Sequence, residues 1–515
     1  MKKATLLLVA LLPLITILAQ KKNKAVEMAG RSITAADLKK HLYIVASADN
    51  EGRDTPSPGL EKAGDYIESN FRAIGLKPGN GDSYRQYYPL YKDSVISSSL
   101  SVNGRSFEVT KDYVNNNANY SADLPISEVV FAGYGIVDEK MDSYKDLDVR
   151  GKAVMIVEGA PADYKSPQTG RVNPAQTIGK LLNASKKGAV AVLLVSKSFS
   201  TSNRPGNIRG GGWTLNGYKS SFNPLLFYIS ENVAAAIMGE DGQGIFDKTA
   251  ANNIKYKPYK ALVDLSFKKT LLVNKVSNVL GLLEGTDKKD EYVIITAHYD
   301  HVGKRDSLIF YGADDDGSGT VSVLELAEAF AKAKAEGNGP RRSILFMTVS
   351  GEEHGLWGSA YYGNHPVYPL EKTTVNLNID MIGRIGNDYV KDKDSANYIY
   401  IIGDNKLSSD LTPITESINS TYTKLKLDRK YNDPKDPNRF YYRSDHYNFA
   451  EKGVPIIFYF NGVHPDYHKP TDTPDKIKYD LMEKRAKLVF YTAMEIANRE
   501  EMLKRDMPLE TQRAF

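Results

Sequence analysis

The stretch EYVIITAHYD (Glu291–Asp300) contains a short apolar run followed directly by a histidine and an aspartate. Such a run predicts a strand that is buried on both faces. Four later runs have the same character: SILFMTV, VNLNIDM, YIYIIG and PIIFYF. A helical pattern separates EYVIITA from SILFMTV and is marked by Val323, Leu326, Ala327 and Phe330. Alternating strands and helices predict an α/β fold with a mostly parallel mixed sheet, covered by helices on both faces.

The sequence pattern of the chain is different between residues 127 and 264. Short β-rich runs alternate there with loops rich in glycine, asparagine and serine: EVVFAGYGIV, KAVMIVEG and VAVLLVS. At 515 residues the chain exceeds what one hydrophobic core usually serves, so we interpret 127–264 as a smaller β-rich inserted domain. Residues 20–126 and 265–515 are then the two parts of one larger domain.

The beginning of the sequence, MKKATLLLVALLPLITILAQKKNK, has two lysines followed by an apolar run from Ala4 to Ala19. This layout is typical of a secretory signal peptide, and we expect residues 1–19 to be cleaved. The run is at the border of membrane-spanning length, so an uncleaved membrane anchor is the alternative. The signal-peptide interpretation predicts a secreted or periplasmic protein with no stable membrane span after cleavage.

Composition excludes several classes of function. The 67 Lys and Arg against 63 Asp and Glu give a formal charge of only +4, which provides no electrostatic reason to expect a nucleic-acid partner. The chain has no cysteine, so disulfides, thiol nucleophiles and thiolate metal sites are all excluded. Any bound metal must therefore be held by His, Asp and Glu. No HExxH motif is present, and no serine nucleophile elbow lies near the acidic residues discussed next.

Residues with acid–base or metal-binding chemistry follow the predicted strands. They are His298 and Asp300 after EYVIITA, Glu352 and Glu353 after SILFMTV, Asp380 at the end of VNLNID, and His468 a short loop after PIIFYF. In an open parallel sheet, sites form outside the carboxyl ends of the strands. The placement therefore predicts that these segments meet at one edge of the sheet, where a metal could collect them.

Three adjacent carboxylates lie in the glycine-rich segment YGADDDGSGT (Tyr311–Thr320). Like charges a few Å apart destabilise a fold unless something positive lies among them. Side chains of a turning segment point in different directions, so we expect only the middle one, Asp315, to enter the cluster. It would bridge two cations about 3.5 to 4 Å apart, while Asp316 caps the following helix. The alternative for this segment is a surface turn with a helix cap.

At these residues the chain resembles the co-catalytic zinc aminopeptidase family, which also includes glutamate carboxypeptidases and a transferrin-receptor branch that has lost metal ligands. The matching segments are TAHYDHVG, YGADDDGSGT, SGEEHGLWGS, NLNIDMIGR, YHKPTDTPDKI and, near the start, SADNEGR. The resemblance implies a fold of the zinc-exopeptidase type. The region 127–264 is similar to the protease-associated domain inserted in many members.

The resemblance implies a two-zinc site. His298 and Asp380 would bind one Zn²⁺, Glu353 and His468 the other, and Asp315 both; Glu352 would be the general base. All these positions carry the expected residue types, so the chain does not resemble the inactive branch. Imidazole and carboxylate ligands suit Zn²⁺, and two cations lower the pKa of a water between them toward about 7.

Further roles are predicted around this site. Asp300 and Asp472 would orient the imidazoles of His298 and His468, as partners of metal-ligating histidines commonly do. His446 is the candidate donor for the oxyanion, with a structural histidine as the alternative. Arg384 and Tyr447 are candidates to line the substrate pocket. For the remaining nearby histidines we expect surface positions or positions behind the ligands: His301, His354 and His464.

Three functions are consistent with these residues. The first is an extracytoplasmic aminopeptidase acting on peptide substrates. The second is a carboxypeptidase or dipeptidase of the same family, which needs basic groups for a terminal carboxylate; Arg384 and Arg443 could converge to supply them. The third is a binding protein with the same fold and no turnover, against which the intact set of ligands argues.

Overall fold

A computed structural model of the chain describes residues 22–115, 120–167, 173–197, 212–217 and 224–509. The predicted signal peptide lies outside these residues. Within them, no helix combines the length and the apolar character that crossing a membrane requires. The chain divides into two compact units, one formed by Met1–Tyr88 with Lys275–Phe515 and the other by Pro89–Asn274.

The first unit is built on a mixed, mostly parallel sheet, which confirms the predicted fold class. Its strands, in spatial order, are Lys426–Asp428, Tyr398–Ile402, Ile456–Phe460, Thr373–Ile379, Lys288–His298, Arg342–Val349 and the end of Lys257–Leu283. The four strands from Ile456–Phe460 to Arg342–Val349 run parallel. Tyr398–Ile402 and Lys257–Leu283 run antiparallel to their neighbours in that group. In register, Thr296 lies opposite Met347 on one side and Asn378 on the other.

Helices cover this sheet: Lys24–Gly30, Ala35–Val45, Pro58–Ile74, Gly319–Ala335, Trp357–Asn364, Leu411–Ile418, His446–Ala450 and Tyr479–Asn498. Gly319–Ala335 is apolar nearly all round, and it is correspondingly buried against strand Lys288–His298 and helices Ala35–Val45 and Pro58–Ile74. The helix Pro58–Ile74 begins with proline at its first position, and the Ser57 hydroxyl accepts a hydrogen bond from the Leu60 amide at 3.1 Å. The C-terminal helix ends at Asn498.

The second unit has its own hydrophobic core. Its strands are Arg85–Val102 from Pro89 onward, Arg105–Ser106, Tyr113–Asn115, Ala122–Phe131, Ala153–Val157, Ala191–Val195, Leu225–Ile229 and the first part of Lys257–Leu283. Four of these strands run parallel, from Ala122–Phe131 to Leu225–Ile229, and the unit also contains the helices Thr177–Lys186, Glu231–Met238 and Ile245–Ala250. The unit spans more of the chain than the insert predicted at 127–264, and its likeness to a protease-associated domain stays a prediction.

Candidate metal centre

Segments from several strand ends bring imidazoles and carboxylates together. His298 is the last residue of strand Lys288–His298 and is buried. Its Nε2 lies 3.3 Å from Asp315 Oδ1, 3.7 Å from Asp380 Oδ1 and 4.0 Å from Glu352 Oε2. Asp380 directly follows strand Thr373–Ile379. One imidazole nitrogen thus faces three carboxylates.

A second group shares Asp315 with the first. His468 Nε2 lies 3.0 Å from Asp315 Oδ2 and 3.0 Å from Glu353 Oε2. The two oxygens of Asp315 therefore face different histidines, Oδ1 toward His298 and Oδ2 toward His468. The structure brings together all five predicted ligands and Glu352.

The three adjacent aspartates point in three directions. Asp314 Oδ1 accepts a hydrogen bond from the Gly383 amide at 2.6 Å, and Asp315 enters the cluster. Asp316 accepts hydrogen bonds from the amides of Gly319 at 2.9 Å and Met381 at 3.0 Å, so it holds the start of helix Gly319–Ala335. Only one of the three is thus available to a cation in the cluster.

The turn before these aspartates is closely packed against the site. Gly312 has a φ of +56°, and a Cβ there would lie 2.3 Å from the Asp315 carbonyl oxygen and 2.5 Å from the His301 ring. Asp472 Oδ2 accepts hydrogen bonds from the backbone amides of Asp314 and Asp315 at 2.9 and 3.2 Å. Asp472 therefore fixes the backbone of the aspartate turn, rather than the His468 ring as predicted.

Asp300 also acts through the backbone. His298 Nδ1 lies 3.1 Å from the Asp300 carbonyl oxygen, while the Asp300 carboxylate is farther from that nitrogen, at 3.6 Å. Asp300 Oδ1 instead accepts the Glu352 amide at 3.2 Å. Asp300 consequently orients the His298 ring and also holds the segment that carries Glu352.

His301 is placed more centrally than the sequence suggested. It is fully buried, and its Nδ1 lies 2.8 Å from Glu353 Oε1 and 3.7 Å from Asp315 Oδ2. Glu353 is thus held by two imidazoles, with Oε1 toward His301 and Oε2 toward His468. A histidine three residues after a predicted ligand was the available signal, but spacing alone does not tell whether its ring points inward.

The structure does not bring His446 to this cluster. The residue is fully buried, its Nε2 lies 2.8 Å from the Tyr441 carbonyl oxygen, and its ring stacks on Phe458 with centroids 4.6 Å apart. Burial lowers the pKa of His446 to about 3, so the ring is neutral near pH 7. These contacts are those of a structural histidine, which was the alternative to a role as oxyanion donor.

Other predicted residues lie in different surroundings. Arg384 forms ion pairs with Asp466 at 2.7 Å and with Asp472 at 3.5 Å, so its positive charge is balanced by carboxylates of the protein itself. Tyr447 is buried and packs edge-on against neighbouring tyrosines. His464 is buried 3.2 Å from Asp314, whereas His354 is partly exposed and pairs with Asp54 at 2.8 Å.

A cleft with an empty volume of about 350 Å³ opens onto the cluster. Its acidic wall consists of Asp315, Glu352 and Asp380, and its other walls consist of Met381, Phe440, Arg443, Phe458, Phe460, Val463 and Tyr467. Tyr467 also stacks on His468, with ring centroids 3.9 Å apart. Sequence reasoning did not assign Tyr467 or the aromatic wall, because apolar residues at strand ends are as common in cores as in pockets.

The electrostatics of the cluster are dominated by burial and by the crowded carboxylates. Burial, together with the charges of Asp380 and Glu353, raises the pKa of Glu352 well above its usual range. Burial works against protonation of His468, but Asp315 and Glu353 outweigh it and raise the pKa of His468 to about 10. The site therefore favours positive charge.

These residues fit a divalent cation. The buried Nε2 of His298 makes no hydrogen bond, although three carboxylate oxygens lie within 4.0 Å of it. Such an unsatisfied buried nitrogen among carboxylates is suited to metal ligation. Imidazole nitrogens and carboxylate oxygens, without cysteine, form a donor set that Zn²⁺ accepts.

The fold and this centre define an α/β protein with a histidine–carboxylate site at the carboxyl ends of parallel strands. Residues 278–493 match the sequence profile of Peptidase family M28. All residues of the metal centre described above lie within this matched region.

The chain is also similar to individual proteins. It is 33% identical over 229 residues to a "Probable leucine aminopeptidase" of Arthroderma otae, covering 43% of this chain and 58% of that protein. It is 24% identical over 353 residues to "Probable glutamate carboxypeptidase LAMP1" of Arabidopsis thaliana, covering 62% and 50%. The chain thus spans little more than half the length of these curated relatives. Among solved structures, an aminopeptidase from Aneurinibacillus sp. strain AM-1 has a TM-score of 0.49 at 20% identity, covering 95% of this chain and 98% of that one.

Proposed function

We propose that this protein is an extracytoplasmic zinc-dependent exopeptidase, and specifically an aminopeptidase that hydrolyses N-terminal peptide bonds. The observation that carries the proposal is the position of Asp315, whose two oxygens face His298 and His468 at 3.3 and 3.0 Å beside Glu352. The match of residues 278–493 to the profile of a peptidase family supports the same class of reaction.

In this proposal two zinc ions are held by the residues of the cluster. His298 and Asp380 would hold one, Glu353 and His468 the other, and Asp315 both. When bound, the zinc ions would supply Lewis acidity and a nucleophilic water at neutral pH. His301 would keep Glu353 oriented through its 2.8 Å contact with Oε1.

Glu352 is the proposed general base. Its side chain is 11% exposed and lines the cleft, so it can reach a substrate, while its amide is anchored by Asp300. The carboxylate takes a proton from the attacking water and passes it to the leaving amine nitrogen as the peptide C–N bond breaks.

Two observations support an aminopeptidase. The chain is 33% identical over 229 residues to a "Probable leucine aminopeptidase" of Arthroderma otae. The aromatic wall, which includes Phe458 and Phe460, suits an apolar first side chain.

A carboxypeptidase or dipeptidase of the same family is the second candidate. It is favoured by one observation: Arg443 is exposed at the cleft, and its guanidinium donates a hydrogen bond to the Tyr467 hydroxyl at 3.5 Å. Arg443 is the cation of the cleft wall, since Arg384 is occupied by Asp466. A terminal carboxylate could bind there.

The test combines substrates with one isosteric variant. Glu352→Gln should keep two zinc ions per chain and lose about 10²- to 10⁴-fold in kcat on leucyl p-nitroanilide. Glu371→Gln, an exposed position in the turn Leu370–Lys372, is the matched control and should keep wild-type activity. Full activity of the Glu352 variant refutes the assigned base. Hydrolysis of acyl-glutamyl substrates alone rejects the aminopeptidase in favour of the second candidate.

The cellular location of the protein and the identity of its second unit are also proposed. The lysines and apolar run of residues 1–19 support export to the periplasm or medium. The second unit is proposed to be a protease-associated domain. Protease protection of the protein in fractionated cells, with sequencing of its mature N-terminus, tests export.

A further inference from the structure

A buried arginine that lies outside residues 278–493, the range matched by the family profile, contacts the segments of the proposed metal centre. Arg53 is fully buried, which is rare for arginine unless it is well satisfied. Its guanidinium donates hydrogen bonds to four carbonyl oxygens: Tyr299 at 2.8 Å, Val45 at 3.1 Å, Tyr311 at 2.8 Å and Gly312 at 2.9 Å. A single side chain therefore joins three separate segments.

Two of those segments carry predicted zinc ligands. Tyr299 follows His298 directly, and Gly312 lies three residues before Asp315. The Arg53 backbone adds a further tie, because its carbonyl oxygen accepts the His301 amide at 3.1 Å. The relative position of the His298 and Asp315 segments is thus set partly by Arg53.

Arg53 also places a fixed positive charge near the crowded acids. Within the described ranges, no carboxylate lies close enough to its guanidinium for an ion pair of 4.0 Å or less. Burial lowers the pKa of Arg53, and the charges of Asp300, Asp315, Asp316 and Asp472 oppose that effect. The guanidinium therefore donates its hydrogen bonds to carbonyl oxygens. Its positive charge acts on the carboxylates from beyond ion-pair distance.

The turn that carries Arg53 is inserted tightly between site segments. Gly52 has a φ of +74°, and a Cβ there would lie 2.3 Å from the Gly303 carbonyl oxygen and 2.5 Å from that of Phe310. The Gly303 amide donates back to the Gly52 carbonyl at 3.0 Å. Small shifts of this turn would therefore displace the segments beside His301 and before Asp315.

We infer that Arg53 is a positioning residue for the metal centre, which holds the His298 and Asp315 segments at the separation that binding of two zinc ions requires. This inference rests on the proposed function. Lysine at this position keeps the charge but cannot reproduce the planar fork that reaches carbonyls of three segments.

The test is Arg53→Lys, with zinc affinity measured by competition against a chromophoric chelator and thermal stability measured alongside. Zinc should bind about 10- to 100-fold more weakly, as expected when a group behind metal ligands is lost. The matched control is Arg342→Lys. Arg342 is equally buried and donates to Glu291 and to the carbonyls of Ile496, Arg499 and Glu500, at the end of its strand remote from the ligands. The control should lose stability and keep wild-type zinc affinity.

Unchanged zinc affinity in Arg53→Lys overturns the inference while leaving the proposed function intact, and equal weakening in both lysine variants overturns it as well. A wild-type protein that binds no zinc refutes the proposed function itself. Should Arg53→Lys not fold, Gly52→Ala keeps the guanidinium but shifts its turn. Weaker zinc binding by that variant supports the inference, and wild-type affinity refutes it.

Discussion

The burial of His446 predicts a specific contribution to acid unfolding. Burial lowers its pKa to about 3, against an ordinary value of 6.5. The unfolded chain therefore takes up a proton at this residue as the pH falls below 6.5, whereas the native chain does not until about pH 3. His446 thus stabilises the native state above pH 6.5, and this stabilisation is lost progressively as the pH falls. Between pH 7 and pH 5 the loss is about 2 kcal/mol.

The measurement is urea unfolding of wild type and His446→Gln at pH 7, 6 and 5. The glutamine amide can still donate to the Tyr441 carbonyl, but it does not titrate. Between pH 7 and pH 5, the free energy of unfolding of His446→Gln should therefore fall by about 2 kcal/mol less than that of the wild type. Burial raises the pKa of Asp445 to about 7, so this residue stabilises the native state as the pH falls, in both wild type and variant. The effect of His446 is therefore read from the difference in pH dependence between the two proteins.

Two results would refute this reasoning. Equal pH dependence in wild type and variant would mean that the native ring takes up protons above pH 5. A loss of more than 100-fold in kcat, with zinc still bound, would mean that His446 acts on substrate after all. We expect kcat to change by less than tenfold, because the ring contacts Tyr441 and Phe458 and is not among the residues that line the cleft.

Two further predictions concern the ligands. Asp315→Asn should reduce the zinc content from two ions to fewer than one per chain in elemental analysis, because one carboxylate serves both histidines; two retained ions would rule out a bridging role. Ser444→Ala removes a 2.6 Å hydrogen bond to Asp380 Oδ2 and should weaken zinc binding about 10- to 100-fold. Chelator competition measures this loss, and unchanged affinity would show that Asp380 is held by other contacts.

The strands of the sheet and the residues that gather at its edge could be predicted from the sequence. Apolar runs such as EYVIITA identify buried strands, and parallel strands deliver the residues after them to one edge. His298, Glu353 and Asp380 could therefore be placed together without knowledge of any side-chain direction.

Side-chain direction is what the sequence could not provide. His301 and His446 both lie close in sequence to residues of the cluster, yet one ring contacts Glu353 and the other stacks on Phe458. Asp472 was expected at an imidazole and instead binds amides of the aspartate turn. Turn geometry and packing decide such outcomes, and neither has a local sequence pattern.

The three adjacent aspartates show how repulsion is managed in this fold. Asp314 and Asp316 accept hydrogen bonds from backbone amides, and burial together with the charge of Asp380 raises the pKa of Asp316 well above its usual range. Asp315 also faces histidines, and burial opposes its ionisation, yet their hydrogen bonds and charges hold the pKa of Asp315 well below its usual range. The fold has thus separated one carboxylate from its neighbours and kept it ionised at the cluster. That arrangement stabilises a carboxylate where a metal ligand is required, and it explains why the middle aspartate, rather than either neighbour, is the one whose loss should remove zinc.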